Sequence, residues 1–351
     1  MSLESFELVR VLFLSTIAFL FAFTWAPLLV QLLKKWRMGK SIRAATDAPV
    51  FAALHAKKQG IPTMGGLLIL GTVFLLAVTF AILAPYLPSG SLLSHVNFLS
   101  RSETLLPLGA LVASALVGLV DDYFNVKGIG PKGGGLRMRH RLMIYTAIAF
   151  VGAWWFRAKL DWDLLHVPFL GDFNIGMWFV PFFMLVIVST AFSVNESDGL
   201  DGLAGGVLLT SFAAYAIIAF SQGRYDLAVF CGVILGALLA FLWFNIPPAS
   251  FFMGDTGAMS LGVTLGVIAM LTNTAFVLPI IGLVVVLESL SVIVQIFWRR
   301  VFHKKLFRSA PFHHHLEAIG WPEPQIVMRL WVVSMVAAAL GIVVVLLDAI
   351  L

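Results

Sequence analysis

The segment LAVFCGVILGALLAFLWF, residues 227–244, contains no charged side chain and indicates the fold class of the whole chain. A helix that crosses the hydrocarbon core of a bilayer needs about 20 predominantly apolar residues, and similar runs recur along the sequence. Of the 351 residues, 60% are hydrophobic and 12% are charged, whereas soluble domains carry about 25% charged residues. The composition therefore predicts an all-α, polytopic integral membrane protein that forms a single domain over residues 1–351.

The apolar runs predict ten spanning helices. They lie near residues 9–34, 64–84, 105–120, 141–157, 174–194, 203–221, 226–244, 257–273, 276–297 and 327–350. The first run is too long for a signal peptide and lacks a small-residue cleavage site, so we expect it to be retained as a span. The single cysteine, Cys231, excludes a disulfide or a cysteine-based metal site within the chain.

The positive charges predict the orientation, because lysine and arginine are retained on the cytoplasmic side of a membrane. All but five of the 23 lysines and arginines lie in or beside the loops that follow odd-numbered predicted spans. The exceptions are Arg10, Arg101, Arg157, Lys159 and Arg224. We therefore expect the loops after odd-numbered spans to be cytoplasmic and both termini to face outward.

The same loops hold most of the polar groups that are unusual in so apolar a chain. They are Asp121-Asp122-Tyr123, Asn195-Glu196-Ser197-Asp198-Gly199-Leu200-Asp201-Gly202, Asn245-Ile246-Pro247-Pro248, Phe252-Met253-Gly254-Asp255-Thr256-Gly257 and Pro311-Phe312-His313-His314-His315-Leu316-Glu317. A single aspartate at a helix end is most often a cap or a solvated carboxylate. Carboxylates gathered at one depth repel each other unless a cation or a proton lies between them, so we interpret this face as a candidate active site.

Magnesium is the cation that suits these groups, because it prefers oxygen ligands and is usually held by one or two carboxylates together with substrate phosphates. Glycines next to Asp198, Asp201 and Asp255 let the backbone approach a ligand closely. The cations available to neutralise phosphate charge are Lys57, Lys58, Arg139 and Arg141. The pattern favours phosphoryl transfer, in which catalysis is mostly positioning and charge stabilisation.

The three consecutive histidines allow a zinc interpretation, but successive side chains on a regular helix point about 100° apart. They can ligate one metal only from a loop. We favour contact with a nucleotide or its phosphates, since imidazole donates hydrogen bonds and titrates near neutral pH. Phe252 is more typical of a core or an interface, although an aromatic ring can stack on a base.

The motifs run in order from Lys58 to Glu323 and carry a specific resemblance. They are Pro62-Thr63-Met64-Gly65-Gly66, Asp121-Asp122-Tyr123, Asp198-Gly199-Leu200-Asp201-Gly202-Leu203-Ala204, Phe252-Met253-Gly254-Asp255 and Ala310-Pro311-Phe312-His313-His314-His315-Leu316-Glu317. The chain resembles the bacterial phospho-N-acetylmuramoyl-pentapeptide transferases, within the polyprenyl-phosphate N-acetylhexosamine-1-phosphate transferase superfamily. The aspartate motifs are shared across that superfamily, whereas the first and last motifs distinguish the muramoyl-pentapeptide branch.

The resemblance implies ten transmembrane helices with a cytoplasmic active-site cleft in the bacterial inner membrane, a homodimer, and no nucleic-acid partner. It implies Mg²⁺-dependent transfer of phospho-MurNAc-pentapeptide from UDP-MurNAc-pentapeptide to the membrane lipid undecaprenyl phosphate. The products are lipid I and UMP, and the reaction is the first membrane step of peptidoglycan synthesis.

The resemblance also implies roles for individual residues. Asp121 and Asp122 are expected catalytic residues nearest the lipid phosphate, with Asp121 the candidate base. Asp255 is the expected catalytic metal ligand, with Asp201 as a second ligand. The remaining expected catalytic residues are His313 and His314, and the expected substrate-binding residues are Lys58, Thr63, Arg141, Asn195, Asp198, Asp201, Asn245, Phe252 and His315.

Several positions depart from the family pattern. Phe192 replaces an asparagine, Glu196 and Ser197 replace leucine and threonine, and Asn125 and Arg141 replace lysines. These changes leave the aspartate framework intact and bear on the contacts to uridine and to the lipid phosphate.

Two other functions stay open from the sequence. A sister transferase that uses UDP-GlcNAc shares the aspartate motifs, and a secondary transporter also carries intramembrane aspartates and broken helices. Transporters hold such groups near the bilayer midplane, whereas here they lie at one face. The mechanism stays open as well: we favour direct attack over a covalent aspartyl intermediate, with metal neutralisation of charge on UMP as the larger contribution.

Overall fold

The computed structural model describes residues 2–39, 58–87, 95–130 and 134–351, which form a bundle of long helices. The helices are α1 (Leu3–Lys35), α2 (Gly66–Leu83), α3 (Leu105–Val126), α4 (Met138–Lys159), α5 (Phe179–Ser197), α6 (Leu203–Ser221), α7 (Tyr225–Asn245), α8 (Gly254–Leu271), α9 (Leu278–Ile281), α10 (Leu283–Phe302), α11 (Phe312–Ala318) and α12 (Glu323–Asp348). The predicted all-α class is confirmed. Lys57, one of the predicted phosphate-neutralising cations, lies outside the described residues.

In the described part of the chain, eight helices are long and apolar enough to cross a membrane. They are α1, α2, α3, α5, α6, α7, α8 and α12, and each coincides with a predicted span. The other two predicted spans, 141–157 and 276–297, coincide with α4 and with the pair α9–α10. Charged residues lie at both ends of α4, and Gly282 separates α9 from α10. The total of ten spans therefore stays a prediction.

The most buried spanning helix is α8, which packs against α3 on one side and α5 on another. Gly118 of α3 faces the backbone of Asp255 and Thr256 at the start of α8, so a side chain at this position has no room. Small residues at helix crossings let two backbones approach closely in a membrane protein. The close approach brings the last turns of α3 beside the first turn of α8.

Two short antiparallel strands, β1 (Leu164–Val167) and β2 (Gly171–Asn174), form a hairpin after α4. The sequence reasoning did not predict this hairpin, which falls between two predicted spans. His166 of β1 contacts Asp172 of β2 and Asp348 at the end of α12. The hairpin thus joins the C-terminal ends of α4 and α12, whereas the N-terminal ends of both helices carry the residues considered next.

Candidate active site

The predicted site residues lie at helix ends that meet at one end of the bundle. Asp121 is near the end of α3, Arg141 is in the first turn of α4, and Asp255 is in the first turn of α8. The turn 198–202 joins α5 to α6, and Asn245 ends α7. Hydrogen bonds connect these helix ends to one another, although they are far apart in the sequence.

Asp122 binds the N-terminus of α8. Its Oδ1 accepts the backbone N–H of Asp255 at 3.1 Å, and its Oδ2 accepts the backbone N–H and the hydroxyl of Thr256 at 3.0 and 2.7 Å. The hydroxyl of Thr63 donates to Oδ1 at 3.4 Å. The first N–H groups of a helix lack partners within the helix, and the positive end of the helix dipole favours a carboxylate. Asp122 therefore caps α8 from a neighbouring helix.

Arg141 lies between Asp121 and Asp255. Its Nη2 is 2.7 Å from Oδ2 of Asp121 and 2.8 Å from Oδ2 of Asp255. Its Nη1 donates to Oδ1 of Asn195 at 3.2 Å, and Nδ2 of Asn195 donates to Oδ1 of Asp255 at 2.5 Å. One guanidinium thus compensates two carboxylates that would otherwise repel each other. We refer to Asp121, Arg141, Asn195 and Asp255 as the Arg141 cluster.

The turn between α5 and α6 is tied to two other segments. Oδ2 of Asp198 accepts the backbone N–H of Gly254 at 3.1 Å, which links the turn to the start of α8. Nζ of Lys58 lies 2.7 Å from Oδ1 of Asp201 and 2.5 Å from Oε1 of Glu323. Oε1 of Glu323 also accepts the backbone N–H of Asp201 at 2.8 Å. Lys58 and Glu323 together hold Asp201 in place.

Asn245 supports the same turn. Its Oδ1 accepts the backbone N–H of Gly202 at 2.9 Å, and its Nδ2 donates to the carbonyl oxygen of Phe251 at 2.9 Å. Nζ of Lys58 lies 6.0 Å from the centre of the Phe252 ring. A cation and an aromatic ring are therefore neighbours on this side of the site.

The three consecutive histidines contact different residues. Nδ1 of His313 is 2.9 Å from Oε2 of Glu288, and Nδ1 of His314 is 2.6 Å from Oε2 of Glu317. Nδ1 of His315 accepts a backbone N–H at 3.2 Å. Because the histidines lie on α11, successive side chains point in different directions. In the described ranges, no group of three histidine, cysteine or acidic side chains is suited to hold a metal.

The two predicted metal ligands, Asp201 and Asp255, contact different cations in the structure. Asp201 contacts Lys58, whereas the carboxylate that shares a cation with Asp255 is Asp121. The assignment of Asp201 to the metal stays a prediction, and we return to it below. For the other predicted residues, the contacts bring Asp121, Arg141, Asn195 and Asp255 into one cluster, with Asp122 beside it.

Sequence reasoning assigned no role to Glu288 or Glu323, which both contact predicted site residues. A signal existed for Glu288, because it lies in an apolar run, where an ionisable residue usually marks a functional site. Glu323 gave no such signal, since it precedes the last span in a polar loop and is an ordinary residue for a first helical turn.

Comparisons with known proteins identify the family of the chain. The family model described as glycosyl transferase family 4 matches residues 104–273, and signature 1 of the phospho-N-acetylmuramoyl-pentapeptide-transferases matches residues 58–70. Three proteins that bear this transferase name are similar to the chain. The protein of Chloroflexus aggregans is 38% identical over 349 residues, which cover 96% of this chain and 89% of the relative. The protein of Geobacillus sp. (strain WCH70) is 37% identical over 328 residues, with 93% and 95% covered. That of Anoxybacillus flavithermus is 35% identical over 333 residues, with 95% and 97% covered.

Proposed function

The chain belongs to the phospho-N-acetylmuramoyl-pentapeptide-transferase family, and we propose how its site performs the transfer. The enzyme moves phospho-MurNAc-pentapeptide from UDP-MurNAc-pentapeptide to undecaprenyl phosphate in a membrane. An oxygen of the acceptor phosphate forms a bond to the phosphorus that bears the sugar. The bond from that phosphorus to the bridging oxygen breaks, and this oxygen leaves with UMP. Lipid I and UMP are the products.

The Arg141 cluster is the observation that carries the proposal. It gathers carboxylates, an amide and a guanidinium at the N-terminus of α8, where the helix dipole also favours an anion. Thr63, within the matched signature 58–70, reaches the same helix end through Asp122. Phosphoryl transfer depends on such positioned charges rather than on covalent chemistry by the protein.

We further propose that the reaction requires Mg²⁺ and that Asp255 is the main protein ligand. The donor set fits, because Asp121, Asn195 and Asp255 present oxygens around one cationic group, and Mg²⁺ takes carboxylate oxygens together with substrate phosphates. When bound, Mg²⁺ would neutralise the charge that develops on UMP. A contribution from Asp201 requires its ion pair with Lys58 to open.

Asp121 and Arg141 serve the acceptor side in this proposal. Arg141 has donors beyond those that it gives to carboxylates, and a guanidinium matches the geometry of a phosphate. Asp121 orients the guanidinium and is the candidate base. An ionised phosphate monoester has little proton left to lose near neutral pH, so the contribution of Asp121 as a base is small beside its effect on Arg141.

The hydrogen bonds of the two α3 aspartates favour direct attack over a covalent aspartyl intermediate. Both oxygens of Asp122 accept hydrogen bonds at the start of α8. Those of Asp121 accept the backbone N–H of Leu136 and face Arg141. Carboxylates engaged in this way are weak nucleophiles. Release of UMP from the donor alone, in an amount equal to the enzyme, would show the covalent route instead.

The nucleotide side of the site is proposed to comprise Lys58, Asp198 and Phe252. Asp198 lies on the turn that contacts the start of α8, and Lys58 lies beside the Phe252 ring. A uridine that stacks on the ring and bonds to Asp198 would bring its phosphates towards the Arg141 cluster. His314 and His315 are proposed to contact the sugar or the phosphates from α11.

We propose that this end of the bundle is cytoplasmic, which supplies the nucleotide sugar, and that both termini face outward from the bacterial inner membrane. The basic residues support this orientation, because Lys34 and Lys35 end α1 and Arg299 and Arg300 end α10 at the same end of the bundle as the site. A homodimer is proposed from the family resemblance alone.

The test is UMP release by the purified protein with Mg²⁺ and undecaprenyl phosphate. UDP-MurNAc-pentapeptide should support release and UDP-GlcNAc should not. Release from UDP-GlcNAc alone would assign the protein to the sister branch. No release from either donor would overturn the transferase function, and loss of release with EDTA that Mg²⁺ restores would support the metal requirement.

A further inference from the structure

A fully buried acid holds the first histidine of the triple motif. Glu288 of α10 and His313 of α11 are both 0% exposed. Oε2 of Glu288 lies 2.9 Å from Nδ1 of His313 and also accepts the backbone N–H of His313 at 3.2 Å. Two contacts from one oxygen fix both the position of the residue and the rotation of its ring. Neither Glu288 nor this pair follows from the sequence motifs.

The contact also selects the tautomer of the ring. A carboxylate accepts hydrogen bonds, so a neutral His313 carries its proton on Nδ1 and leaves the lone pair on Nε2. Within the described residues, Nε2 of His313 and Oε1 of Glu288 have no hydrogen-bond partner, although both atoms are buried. Buried polar groups in a native protein are normally paired, so packing alone does not account for this pair.

The free edge of the ring faces the nucleotide side of the site. Nε2 of His313 lies against Gly199, where a Cβ atom would collide with the ring. Gly199 separates Asp198, which binds the backbone of Gly254, from the segment with Asp201, which binds Lys58. The orientation of the His313 ring therefore sets where this turn can lie.

We propose that Glu288 is a positioning residue that acts through His313 on the turn 198–201 and thereby on binding of the nucleotide-sugar donor. The inference rests on the proposed function, because it assigns that turn to the donor. Glu288 touches neither substrate. Glu288 holds the orientation of the His313 ring, and the ring limits the position of Gly199. The position of Gly199 in turn determines where Asp198 and Asp201 lie. The acceptor lipid, which the proposal assigns to Asp121 and Arg141, is not affected.

Steady-state kinetics of Glu288→Ala and Glu288→Gln test the role. Glu288→Ala should raise KM for UDP-MurNAc-pentapeptide about tenfold, as loss of an orienting partner commonly does, and leave KM for undecaprenyl phosphate within about twofold. Gln keeps an oxygen for Nδ1–H and should restore most of the donor affinity. The double variant Glu288→Ala/His313→Ala should have the same KM for the donor as His313→Ala alone. Equal changes in both KM values, or additive losses, would overturn the proposal.

A matched control and a second readout separate positioning from stability and from the proposed function. Ser289→Ala removes another buried hydrogen bond of α10, that to Ser193 at 2.8 Å, and should leave donor KM unchanged. ¹⁵N spectra of histidine-labelled protein, with the His313→Ala spectrum subtracted, should show an Nδ1–H imidazole that Glu288→Gln keeps and Glu288→Ala loses. An unchanged Nδ1–H signal in Glu288→Ala would refute the positioning role, whether or not the protein releases UMP. Absence of UMP release by the wild type would refute the proposed function and leave the spectroscopic test of positioning intact.

Discussion

The backbone N–H and the hydroxyl of Thr256 both donate to one oxygen of Asp122, at 3.0 and 2.7 Å. This contact gives two neighbouring aspartates of α3 different tasks. Asp122 caps α8 and so fixes the helix turn that carries Asp255, whereas Asp121 contacts the Arg141 guanidinium. Adjacent residues of a helix point about 100° apart, and here one points to a helix end and the other to a cation.

Asp122→Asn should lower stability and activity together. Asn keeps one acceptor oxygen but loses the charge at the positive end of the α8 dipole, a loss of about 1–2 kcal/mol. The thermal unfolding midpoint in detergent and the rate of UMP release measure the two effects. Asp121→Asn is the comparison, since it should reduce the rate at a nearly unchanged midpoint. Equal midpoints for both variants would contradict the division of tasks.

Arg141→Lys should keep turnover within about tenfold, because it retains the charge between Asp121 and Asp255 but loses the forked geometry. Arg141→Gln removes the charge and leaves two carboxylates that repel each other. Its rate should fall by at least about 100-fold, as for loss of a stabilising group at a transferred phosphoryl. UMP release at saturating substrates measures both variants. A rate for Arg141→Gln equal to that of Arg141→Lys would show that the charge is unnecessary.

Lys58→Met should weaken donor binding, because it removes the cation that holds Asp201 and lies beside Phe252. We expect KM for UDP-MurNAc-pentapeptide to rise about tenfold, which corresponds to about 1.4 kcal/mol. KM for undecaprenyl phosphate should change little. Lys159→Met, at the far end of α4, is a matched control. A larger effect on the acceptor than on the donor would be inconsistent with a nucleotide-side Lys58.

The stability of the hairpin formed by β1 and β2 should respond to pH. Burial alone lowers the pKa of His166, but the hydrogen bonds to Asp348 and Asp172 outweigh it, so its pKa is raised above the usual value. Protonated His166 therefore stabilises the folded state below about pH 6.5, the pKa in an unfolded chain. This stabilisation is lost as pH rises through the higher folded-state pKa.

Unfolding midpoints of wild type and His166→Gln across that pH range test the prediction. The wild type should be more stable than the variant at acidic pH, and the difference should shrink as pH rises. A difference in unfolding midpoint that grows with pH would show that protonation of His166 destabilises the folded state, contrary to the prediction.

Local sequence patterns predicted the membrane class, most of the spans and the gathering of the acidic residues at one end of the bundle. They could do so because a span and a motif each consist of residues that are close together in the sequence. The pairing within the site is not local. Arg141 and Asp255 are 114 positions apart, and their contact depends on how α4 packs near α3 and α8. Nothing in the aspartate motifs distinguishes the cap from the charge partner, or indicates that Asp201 binds Lys58.

Two helices show where the apolar pattern alone is a poor guide. α4 carries Arg141 near one end and Arg157 and Lys159 near the other, so its composition is less apolar than that of the other spans. α10 buries Glu288 and Gln295 along one side, because that side faces the site and the loop after it rather than lipid. Apart from Lys159, each of these residues has a specific partner: Arg141 contacts Asp121 and Asp255, Arg157 contacts Asp163, Glu288 contacts His313, and Gln295 contacts Phe307.

The rate of UMP release by Asp255→Asn, with UDP-MurNAc-pentapeptide and undecaprenyl phosphate, tests the central claim that the Arg141 cluster is the reaction centre. The rate should fall by at least about 1000-fold, with an unfolding midpoint close to that of the wild type. Asp163→Asn is the control and should keep the wild-type rate. Asp163 forms an ion pair with Arg157, with 2.7 Å between Oδ2 and Nη1, and this pair lies after the far end of α4, remote from the site. Release by Asp255→Asn at a rate near that of Asp163→Asn would contradict the account.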